Sequence, residues 1–222
     1  MTSPISRGRA DQPRVRLLRR EWLSERTLEV ACSRPQGFVF LPGQSIRIIE
    51  GGIERDYSIA SGPGDPFLSL LITRVPGGAM SSWLAEAPLE TPLTIEGPRG
   101  FFTWKPSSRP AVFAATGTGV APFLSMARSG VRGFTMIHGV RDPAELLHAD
   151  ELRAAAALFM PCVSRENPGD CFAGRVTRWV RERLDPGVYD FYLCGRRDMI
   201  RDMTTLVDER FPGSLLYTEI FY

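Results

Sequence analysis

A glycine-rich loop at residues 116–122 contains the first residues whose types and spacing could do chemistry. It follows the apolar run 111–114 and precedes a short helical pattern. Backbone N–H groups at the start of a helix lack partners, and glycines let a ligand approach them, so such a loop can bind an anion. The anion expected after a buried strand is the pyrophosphate of a dinucleotide. The residues predicted to bind it are Thr116, Gly117, Thr118, Gly119 and Pro122.

The loop departs from the usual dinucleotide fingerprint at one position. Gly117 and Gly119 supply a G-x-G, but Pro122 stands where the third glycine is expected. Proline is tolerated in a first helical turn because its missing N–H would lack a partner there anyway. The loop alone therefore fits both a phosphate-binding turn and an ordinary glycine-rich turn between a strand and a helix.

A second group of chemically useful residues, Arg55, Tyr57 and Ser58, follows the Gly51-Gly52 turn at the start of a predicted strand. The group offers a cation for phosphate, a flat aromatic face and a hydroxyl. Strand alternation places Arg55 and Tyr57 on one side and Ser58 on the other. A half-exposed strand with a surface arginine has the same pattern, so this group alone leaves both interpretations open.

A second glycine-rich turn, Pro76-Gly77-Gly78, precedes a helical pattern at residues 81–87. Ser81 stands where helix N-caps are common. The turn is a second candidate phosphate site, because helix starts favour anions. Two anion-binding turns, one in each half of the chain, predict two dinucleotides.

Composition narrows the classes of function. The 222 residues carry a net charge of +2, which argues against a nucleic-acid-binding protein whose affinity comes from general basicity. Arginine supplies 26 of the 27 cations, which suits bidentate phosphate contacts, although an arginine-rich proteome would give the same bias. The four cysteines lack metal-binding spacing, so no metal site is predicted. No secretory or membrane-spanning stretch is apparent, so we expect a soluble, cytoplasmic protein with reduced cysteines.

The pattern of apolar residues changes near residue 105, which predicts two domains at residues 12–105 and 106–222. The first half has short β-type runs between turns, typical of a six-stranded antiparallel β-barrel. The second alternates strands and helices, typical of a five-stranded parallel α/β nucleotide-binding domain. The expected barrel strands are 15–19, 27–32, 44–49, 57–60, 67–75 and 93–96. The expected parallel strands are 111–115, 134–139, 159–163, 191–193 and 215–221, with helices at 121–129, 144–157, 176–184 and 198–210.

Taken in order, the motifs resemble those of the ferredoxin-NADP reductase family over nearly the whole chain, most closely the bacterial ferredoxin/flavodoxin-NADP reductases. Each motif is weak alone, but six in the same order make coincidence improbable. They are Arg55-x-Tyr57-Ser58, Gly78-x-x-Ser81, Gly97-Pro98-x-Gly100-x-Phe102, the loop Thr116-Gly117-Thr118-Gly119-Val120-Ala121-Pro122, Cys194-Gly195 and the terminal Glu219-x-Phe221-Tyr222.

The resemblance implies an FAD site in the barrel. Arg55 and the backbone of residues 78–81 would neutralise the FAD pyrophosphate. Tyr57 would stack on one face of the isoalloxazine ring, and Ser58 would hydrogen-bond near its N5 atom. Phe221, where family members often have tyrosine, would cover the other face. The implied FAD-binding residues are Arg55, Tyr57, Ser58, Ile72, Gly78, Ala79, Met80, Ser81, Phe221 and Tyr222, the last by stacking on the adenine.

The resemblance also implies three catalytic residues, Ser58, Cys194 and Glu219. Cys194 and Gly195 would end a strand and bind beside the nicotinamide ring, which would displace Phe221 from the flavin. A small buried core position is the alternative for Cys194. Glu219 lies in an apolar C-terminal run, where a carboxylate is costly unless it is paired or hydrated. It is therefore either a solvent-facing strand residue or a proton-handling group beside the flavin.

Three further residues bear on the choice of pyridine nucleotide. In the family, a Ser-Arg pair with a second arginine downstream holds the 2′-phosphate of NADP, and Ser164, Arg165 and Arg175 match this pattern. A hydrogen bond to a charged group contributes about 1.5–3 kcal/mol, less where water screens it. Two such contacts would favour NADPH over NADH by about 100-fold. The alternative for Arg175 is that it only caps or packs its helix.

The two histidines are predicted to be structural. His138 lies in a predicted strand and His148 in a predicted helix, with no carboxylate or cysteine at metal-binding spacing. Glu145, Asp150 and Glu151 are predicted to form the solvated face of that helix.

The resemblance implies a flavoenzyme that transfers hydride reversibly between NADPH and FAD and passes single electrons to a ferredoxin or flavodoxin. Since no iron-sulfur ligands are readable in the chain, this acceptor would be a separate protein. Two alternatives stay open: an NAD(P)H-dependent reductase component of an oxygenase system, and a nucleotide-binding electron-transfer subunit of a larger complex. The protein is expected to be a monomer without nucleic-acid or membrane partners.

Overall fold

The computed structural model describes residues 13–165 and 170–221, so the predicted adenine contact of Tyr222 lies outside the described residues. Two six-stranded sheets make up the fold, one antiparallel and one parallel. This confirms the predicted combination of an antiparallel barrel with a parallel α/β domain. The first sheet ends at Arg99 and the second begins at Ala111, so the boundary predicted at residue 105 falls between them.

The antiparallel sheet forms a barrel around an apolar core. Its strands are β1 (Arg14–Trp22), β2 (Thr27–Ser33), β3 (Ser45–Glu50), β4 (Ile53–Ser58), β5 (Phe67–Thr73) and β6 (Pro92–Arg99). They lie in the order β4-β3-β6-β1-β2-β5, and a bridge between Ile59 and Leu70 closes the barrel. Gly51 and Gly52 have φ angles of 55° and 79°, which glycine adopts at no steric cost, and make the tight turn into β4. Helix α1 (Ala79–Glu86) contributes Leu84 to the core.

The parallel sheet has one strand more than the sequence predicts. Its strands are β7 (Ala111–Thr116), β8 (Thr135–Val140), β9 (Leu158–Val163), β10 (Phe172–Ala173), β11 (Asp190–Arg196) and β12 (Leu215–Phe221). The expectation of five strands is wrong because β10, at one edge, has only two residues. A pair of residues is too short to produce a recognisable alternation of apolar and polar side chains.

Strand order reverses direction at β7. The spatial order is β10-β9-β8-β7-β11-β12, so the chain extends the sheet on one side of β7 and then returns to its other side. In open parallel sheets, ligands bind outside the carboxyl ends of the strands at such a switch point. Here β7 ends at Thr116 and β11 ends at Arg196, so the loop at residues 116–122 lies at the switch point.

Helices cover both faces of the parallel sheet. On one face α2 (Ala121–Arg128) and α3 (Ala149–Ala155) pack over Phe113, whose ring stacks on Phe123 and Phe134 at 4.7 and 4.4 Å. This core also includes Ala60 and Leu71 of the barrel half, so the two halves share it. On the other face lie α4 (Val176–Arg183) and α5 (Arg197–Arg210). No helix in the described part of the chain is both long enough and apolar enough to cross a membrane.

The helix predicted at residues 144–157 is shorter in the structure. A 3-10 turn covers Pro143–Glu145, and α3 begins only at Ala149. Between them His148 has φ +49°, a left-handed conformation that a right-handed helix cannot contain. The apolar pattern does not report this backbone break, so the sequence predicts one continuous helix.

Candidate functional site

A cleft of about 480 Å³ opens at the switch point where β7 and β11 end. Both halves of the chain line it, since Arg26 and Thr73 belong to the barrel. The residues contributed by the parallel domain include Thr116, Gly117, Thr118, Gly139, Arg141, Glu145, Ser164, Gly174, Arg175, Gly195, Arg196 and Phe221. The cleft therefore brings together most of the residues predicted to bind the pyridine nucleotide.

Glycines let the loop after β7 pack closely against the carboxyl end of β11. A Cβ at Gly119 would lie 2.4 Å from the carbonyl oxygen of Cys194, and one at Gly195 would lie 2.2 Å from Thr116 Oγ1. Gly195 also has φ +136°, which side-chain-bearing residues rarely adopt. The backbone N–H of Arg196 donates to Thr116 Oγ1 at 3.0 Å. Any larger residue at either glycine would push the loop after β7 away from the end of β11.

The remaining predicted loop residues have different positions. Gly117 and Thr118 line the cleft, and Gly117 turns the chain with φ +53°. Pro122 lies buried in the first turn of α2, where its missing N–H costs nothing. It therefore supports the helix that follows the loop and does not face the cleft.

Three of the arginines that line the cleft have no ion-pair partner in the described part of the chain, and the carboxylate of Glu145, which accepts from Ser24 and Thr27, lines it as well. Arg196 pairs with Asp198 at 3.1 Å, but Arg26, Arg141 and Arg175 have no carboxylate partner among the described residues. An unpaired cation that lines a cleft favours an anionic ligand. Sequence reasoning missed Arg26 and Arg141, because no local motif marks either residue as part of the cleft.

Two of the three residues predicted to hold a 2′-phosphate, Ser164 and Arg175, line the cleft. The backbone N–H and Oγ of Ser164 both donate to the carbonyl oxygen of Val140, at 3.1 and 3.3 Å. Arg165 is exposed directly after Ser164, and Arg175 is exposed directly before α4. The side chain of Arg175 makes no cap hydrogen bond to its helix. Its guanidinium therefore remains available to an anion.

Strand β4 presents the predicted flavin-binding residues in alternation. Arg55 is exposed, Tyr57 is half-buried and Ser58 is only 4% exposed. Burial raises the pKa of Tyr57 to about 12, so its ring is neutral. Ser58 Oγ is buried without a hydrogen-bond partner in the described part of the chain. A hydroxyl left in this state costs about 1–3 kcal/mol, and a bound group that accepts or donates a hydrogen bond would recover that cost.

Asp56 lies between Arg55 and Tyr57 but does not neutralise Arg55. Arg47 Nε and Nη2 donate to the two carboxylate oxygens of Asp56 at 2.7 and 2.9 Å. These hydrogen bonds hold the pKa of Asp56 below its usual value. Arg55 Nη1 donates instead to the backbone carbonyl of Glu54 at 2.7 Å. The charge of Arg55 therefore stays available to a phosphate.

Helix α1 begins at Ala79, earlier than predicted, with Gly78 as its N-cap and no side-chain cap. The expectation that Ser81 caps this helix is wrong. Ser81 Oγ accepts from the N–H of Val75 at 3.2 Å and donates to the carbonyl of Gly78 at 3.3 Å. Because no side chain caps the helix start, its first N–H groups are available to an anion.

Two of the predicted FAD-binding residues have their side chains inside the barrel. Ile72 is 1% exposed and Met80 is 4% exposed, and both belong to the barrel core. Only the backbone of either residue could contact a cofactor. Ala79, by contrast, is exposed at the start of α1.

Cys194 and Glu219 are neighbours in register on β11 and β12. Burial, together with the charge of Glu219, raises the pKa of the Cys194 thiol well above its usual value, so the thiol is neutral. Cys194 is also part of the apolar core. Burial and then the charge of Asp56 raise the pKa of Glu219. Asp56 belongs to β4, the strand that carries Ser58.

Phe221 is the last described residue of β12 and lines the cleft. Its ring is half-buried and packs against the apolar core shared by the two halves. It pairs in register with Arg196 of β11. An aromatic side chain therefore stands between the cleft and the core, on the strand that also carries Glu219.

Hydrogen bonds fix the position of one half relative to the other. Ser125 Oγ of α2 donates to the carbonyl of Ser61 at 2.8 Å, and this contact is buried. Glu145 accepts from Ser24 Oγ at 2.9 Å and from Thr27 Oγ1 at 3.0 Å. The prediction that Glu145 belongs to a solvated helix face is therefore wrong, because its carboxylate binds the barrel.

The fold joins an antiparallel barrel and a parallel α/β domain through a shared apolar core. Residues 17–104 match the family model described as an oxidoreductase FAD-binding domain, and residues 113–205 match that of an oxidoreductase NAD-binding domain. The chain therefore contains an oxidoreductase FAD-binding domain followed by an oxidoreductase NAD-binding domain, the pair of domains that the resemblance to the ferredoxin-NADP reductase family implies. These matches confirm the predicted family and its two cofactors, FAD and a pyridine nucleotide.

Curated relatives and solved structures cover both halves. The toluate 1,2-dioxygenase electron transfer component of Pseudomonas putida is 32% identical over 201 residues, which cover 83% of this chain and 60% of that protein. Ferredoxin-NADP reductase B of Sorangium cellulosum is 39% identical over 147 residues, covering 60% of each protein. The chain thus spans about 60% of the length of these relatives. A ferredoxin-NADP reductase from Neisseria gonorrhoeae with bound FAD and NADP has a TM-score of 0.84 at 22% identity, covering 96% of this chain and 100% of that one.

Proposed function

We propose that the protein is an FAD-dependent oxidoreductase that transfers hydride reversibly between NADPH and FAD and supplies single electrons to a ferredoxin or flavodoxin. The observation that carries the proposal is the apolar core that Cys194 and Phe221 of the parallel sheet share with Ala60, two residues after Ser58. Glu219 lies beside Cys194, and its pKa responds to Asp56, which is flanked by the flavin-binding motif. The residues predicted on the nicotinamide side therefore share a core with the segment that follows the predicted flavin-binding motif.

The barrel residues would bind and orient FAD. Arg55 and the uncapped start of α1 neutralise the pyrophosphate, because both present unsatisfied positive charge or N–H donors. Tyr57 stacks on the ring system, and Ser58 Oγ hydrogen-bonds to its edge, which satisfies a hydroxyl that has no other partner in the described residues. When bound, the flavin supplies the redox chemistry, taking up two electrons together and releasing them singly.

The residues at the ends of β11 and β12 would act on the nicotinamide side. The neutral Cys194 thiol packs beside the ring, and Phe221 excludes water until the nicotinamide takes its place. Glu219 would be the proton-handling group, and burial together with the charge of Asp56 raises the pKa of its carboxyl group above the usual value.

The preference for NADPH would come from arginines around the cleft. Ser164, Arg165 and Arg175 would hold the 2′-phosphate, while Arg26 and Arg141 would face the rest of the anionic dinucleotide. The proposal is supported by the absence of carboxylate partners for these arginines among the described residues. We also propose that the protein works as a monomer in the cytoplasm, where its four free thiols stay reduced.

A second candidate function is the reductase component of an oxygenase system. The similarity to the toluate 1,2-dioxygenase electron transfer component, over 83% of this chain, favours it. The two candidates share the flavin and the hydride step and differ in the acceptor and in nucleotide preference. A nucleotide-binding subunit of a larger complex is the third possibility, and it would show little activity alone.

One experiment separates these candidates. The purified protein is loaded with FAD, its visible spectrum is recorded, and flavin bleaching is followed without oxygen after adding NADPH or NADH. Rapid bleaching by NADPH and slow bleaching by NADH is the expected result, and Arg165→Ala should reduce the difference, whereas Arg183→Ala, an exposed arginine at the end of α4, should not. Equal bleaching by both nucleotides would favour the oxygenase reductase. A protein that cannot take up FAD would overturn the flavoenzyme proposal.

The acceptor is tested with the same protein. NADPH-dependent reduction of a ferredoxin or flavodoxin should proceed at a rate comparable to that of an artificial acceptor. Efficient reduction of an artificial acceptor alone would point to a dedicated oxygenase partner. No reduction of any acceptor by an FAD-loaded protein would favour the subunit of a larger complex.

A further inference from the structure

His138 is a buried imidazole directly behind the glycine-rich loop. It lies on β8 with no exposed surface, and its Nε2 is 3.0 Å from the carbonyl oxygen of Gly117. Because a carbonyl can only accept, Nε2 carries the proton. Burial, partly offset by this hydrogen bond, lowers the pKa of His138 to about 4, so the imidazole is neutral and Nδ1 is unprotonated. Nδ1 is buried with no partner in the described part of the chain.

The hydrogen bond from His138 fixes the direction of one peptide group in the loop. In a trans peptide, the C=O of one residue and the N–H of the next point in opposite directions. Since the carbonyl of Gly117 faces the imidazole, the N–H of Thr118 faces away from it. Gly117 and Thr118 both line the cleft. The conformation of Gly117, with φ +53°, allows this orientation without strain.

The unpartnered Nδ1 distinguishes this contact from simple space filling. An apolar side chain of similar size would fill the same volume without leaving a buried nitrogen unsatisfied, which costs about 1–3 kcal/mol. The imidazole leaves Nδ1 unsatisfied, and its single N–H donates to the carbonyl of Gly117 in the loop. The sequence interpretation of His138 as merely structural did not contain this link, because Gly117 is 21 residues away along the chain.

We infer that His138 is a positioning residue for the pyridine nucleotide: its Nε2–H holds the peptide between Gly117 and Thr118 so that the Thr118 N–H is presented to the dinucleotide pyrophosphate. The inference rests on the proposed function, since it concerns the same cleft. His138 itself touches neither the nucleotide nor the flavin and acts through the backbone of the loop.

Two substitutions separate hydrogen bonding from volume. His138→Leu removes the donor, whereas His138→Gln keeps an N–H at nearly the distance of Nε2 from the backbone. With FAD-loaded proteins, we expect His138→Leu to raise the KM for NADPH about tenfold with kcat within about twofold, the effect of one lost hydrogen bond. His138→Gln should restore most of the parental KM, and FAD content should be equal in all three proteins.

The outcomes separate this inference from the proposed function. If the parent protein binds no pyridine nucleotide, the proposed function fails and this inference fails with it. If the parent binds nucleotide but both variants raise KM equally, the imidazole only fills space and the inference is overturned while the function stands. Parental KM in both variants would overturn it as well.

A measurement on the unmodified protein covers the case in which His138→Leu does not fold. The chain has two histidines, so nitrogen NMR resolves both imidazoles, and His138→Gln assigns the signal by its disappearance. We expect the neutral form with the proton on Nε2, and a shift of the Thr118 amide proton when NADP is added. A proton on Nδ1, or a Thr118 amide unaffected by bound NADP, would overturn the inference.

Discussion

The carboxyl group of Glu219 lowers stability at neutral pH and, in the proposed reaction, holds a proton. Burial and the charge of Asp56 raise its pKa above the ordinary 4.5. The folded protein therefore binds this proton more tightly than the unfolded chain, and the free energy of unfolding falls as pH rises from 4.5 through the raised value. We expect Glu219→Gln to raise the Tm at neutral pH while lowering kcat on the order of 100-fold, with little change in the KM for NADPH.

Calorimetry and anaerobic flavin reduction, both on the FAD-loaded protein, measure the two effects of Glu219→Gln. Glu209→Gln removes an exposed carboxylate near the end of α5 and serves as the matched control, with unchanged Tm and kcat. A Glu219→Gln protein with parental kcat would show that the reaction needs no proton at this position.

His138 makes the folded protein sensitive to acid. Its pKa is about 4 in the folded protein against an ordinary 6.5, so the unfolded chain binds more protons between these values. The free energy of unfolding should therefore fall as pH drops, by about 2 kcal/mol between pH 7 and pH 5. Urea unfolding of the parent and of His138→Gln is measured at both pH values. The two proteins share the same carboxylates, so the difference between their losses in free energy of unfolding is the contribution of His138. An equal loss of unfolding free energy in the two proteins would mean that folding does not lower the pKa of His138.

At the scale of elements, the close packing of the carboxyl ends of β7 and β11 depends on Gly195. Its φ is +136°, and a Cβ there would lie 2.2 Å from Thr116 Oγ1. We expect Gly195→Ala to lower the free energy of unfolding by about 1–3 kcal/mol and to raise the KM for NADPH, because Thr116 lines the cleft. Denaturant unfolding and steady-state kinetics measure both, with Gly64→Ala, where a Cβ meets nothing within 4 Å, as the control. A parental free energy of unfolding and a parental KM in Gly195→Ala would mean that the ends of β7 and β11 can move apart without cost.

Elements with strong local patterns are predictable from sequence. The apolar run of β7 and the glycines at 117 and 119 identify a strand, a loop and a helix, because burial and backbone freedom act on neighbouring residues. β10 is too short to give a pattern, and the left-handed His148 interrupts a helix whose side chains look continuous. Ser81 shows the same limit: a serine near a helix start predicts a cap, but its Oγ instead bonds to Val75 and Gly78.

At the scale of the whole molecule, the site depends on contacts that no local pattern contains. Glu145 binds Ser24 and Thr27, which are 121 and 118 residues away along the chain. Arg26 reaches the cleft from the barrel because these contacts hold its loop against the parallel domain. The family resemblance supplied Ser58, Cys194 and Glu219 as candidates, but only the fold brings Cys194 into one apolar core with Ala60, two residues after Ser58.

A buried ion-pair cluster joins the two halves next to the site. Arg128, at the end of α2, donates to both carboxylate oxygens of Glu151 at 2.8 Å and to the carbonyl of Ala60 at 3.0 Å. Its Nη1 lies 4.0 Å from Glu29 of β2, which is 5% exposed and has His148 at 3.1 Å on its other oxygen. Burial alone would raise the pKa of Glu29, but His148, Ser69 and Arg128 together lower it, so the carboxylate is charged.

Removing Arg128 should therefore leave a buried carboxylate with too little compensating charge. We expect Arg128→Ala to lower the free energy of unfolding by about 3 kcal/mol and to slow flavin reduction, because α2 connects the nucleotide loop to the segment after β4. Adding Glu29→Gln should recover part of the stability, since it removes the uncompensated charge. Arg132→Ala is the control, because within the described residues Arg132 bonds only to nearby carbonyls, those of Ala127 and Val131. If the double variant with Arg128→Ala and Glu29→Gln has a lower free energy of unfolding than Arg128→Ala alone, the cluster stabilises the interface by packing and not by charge.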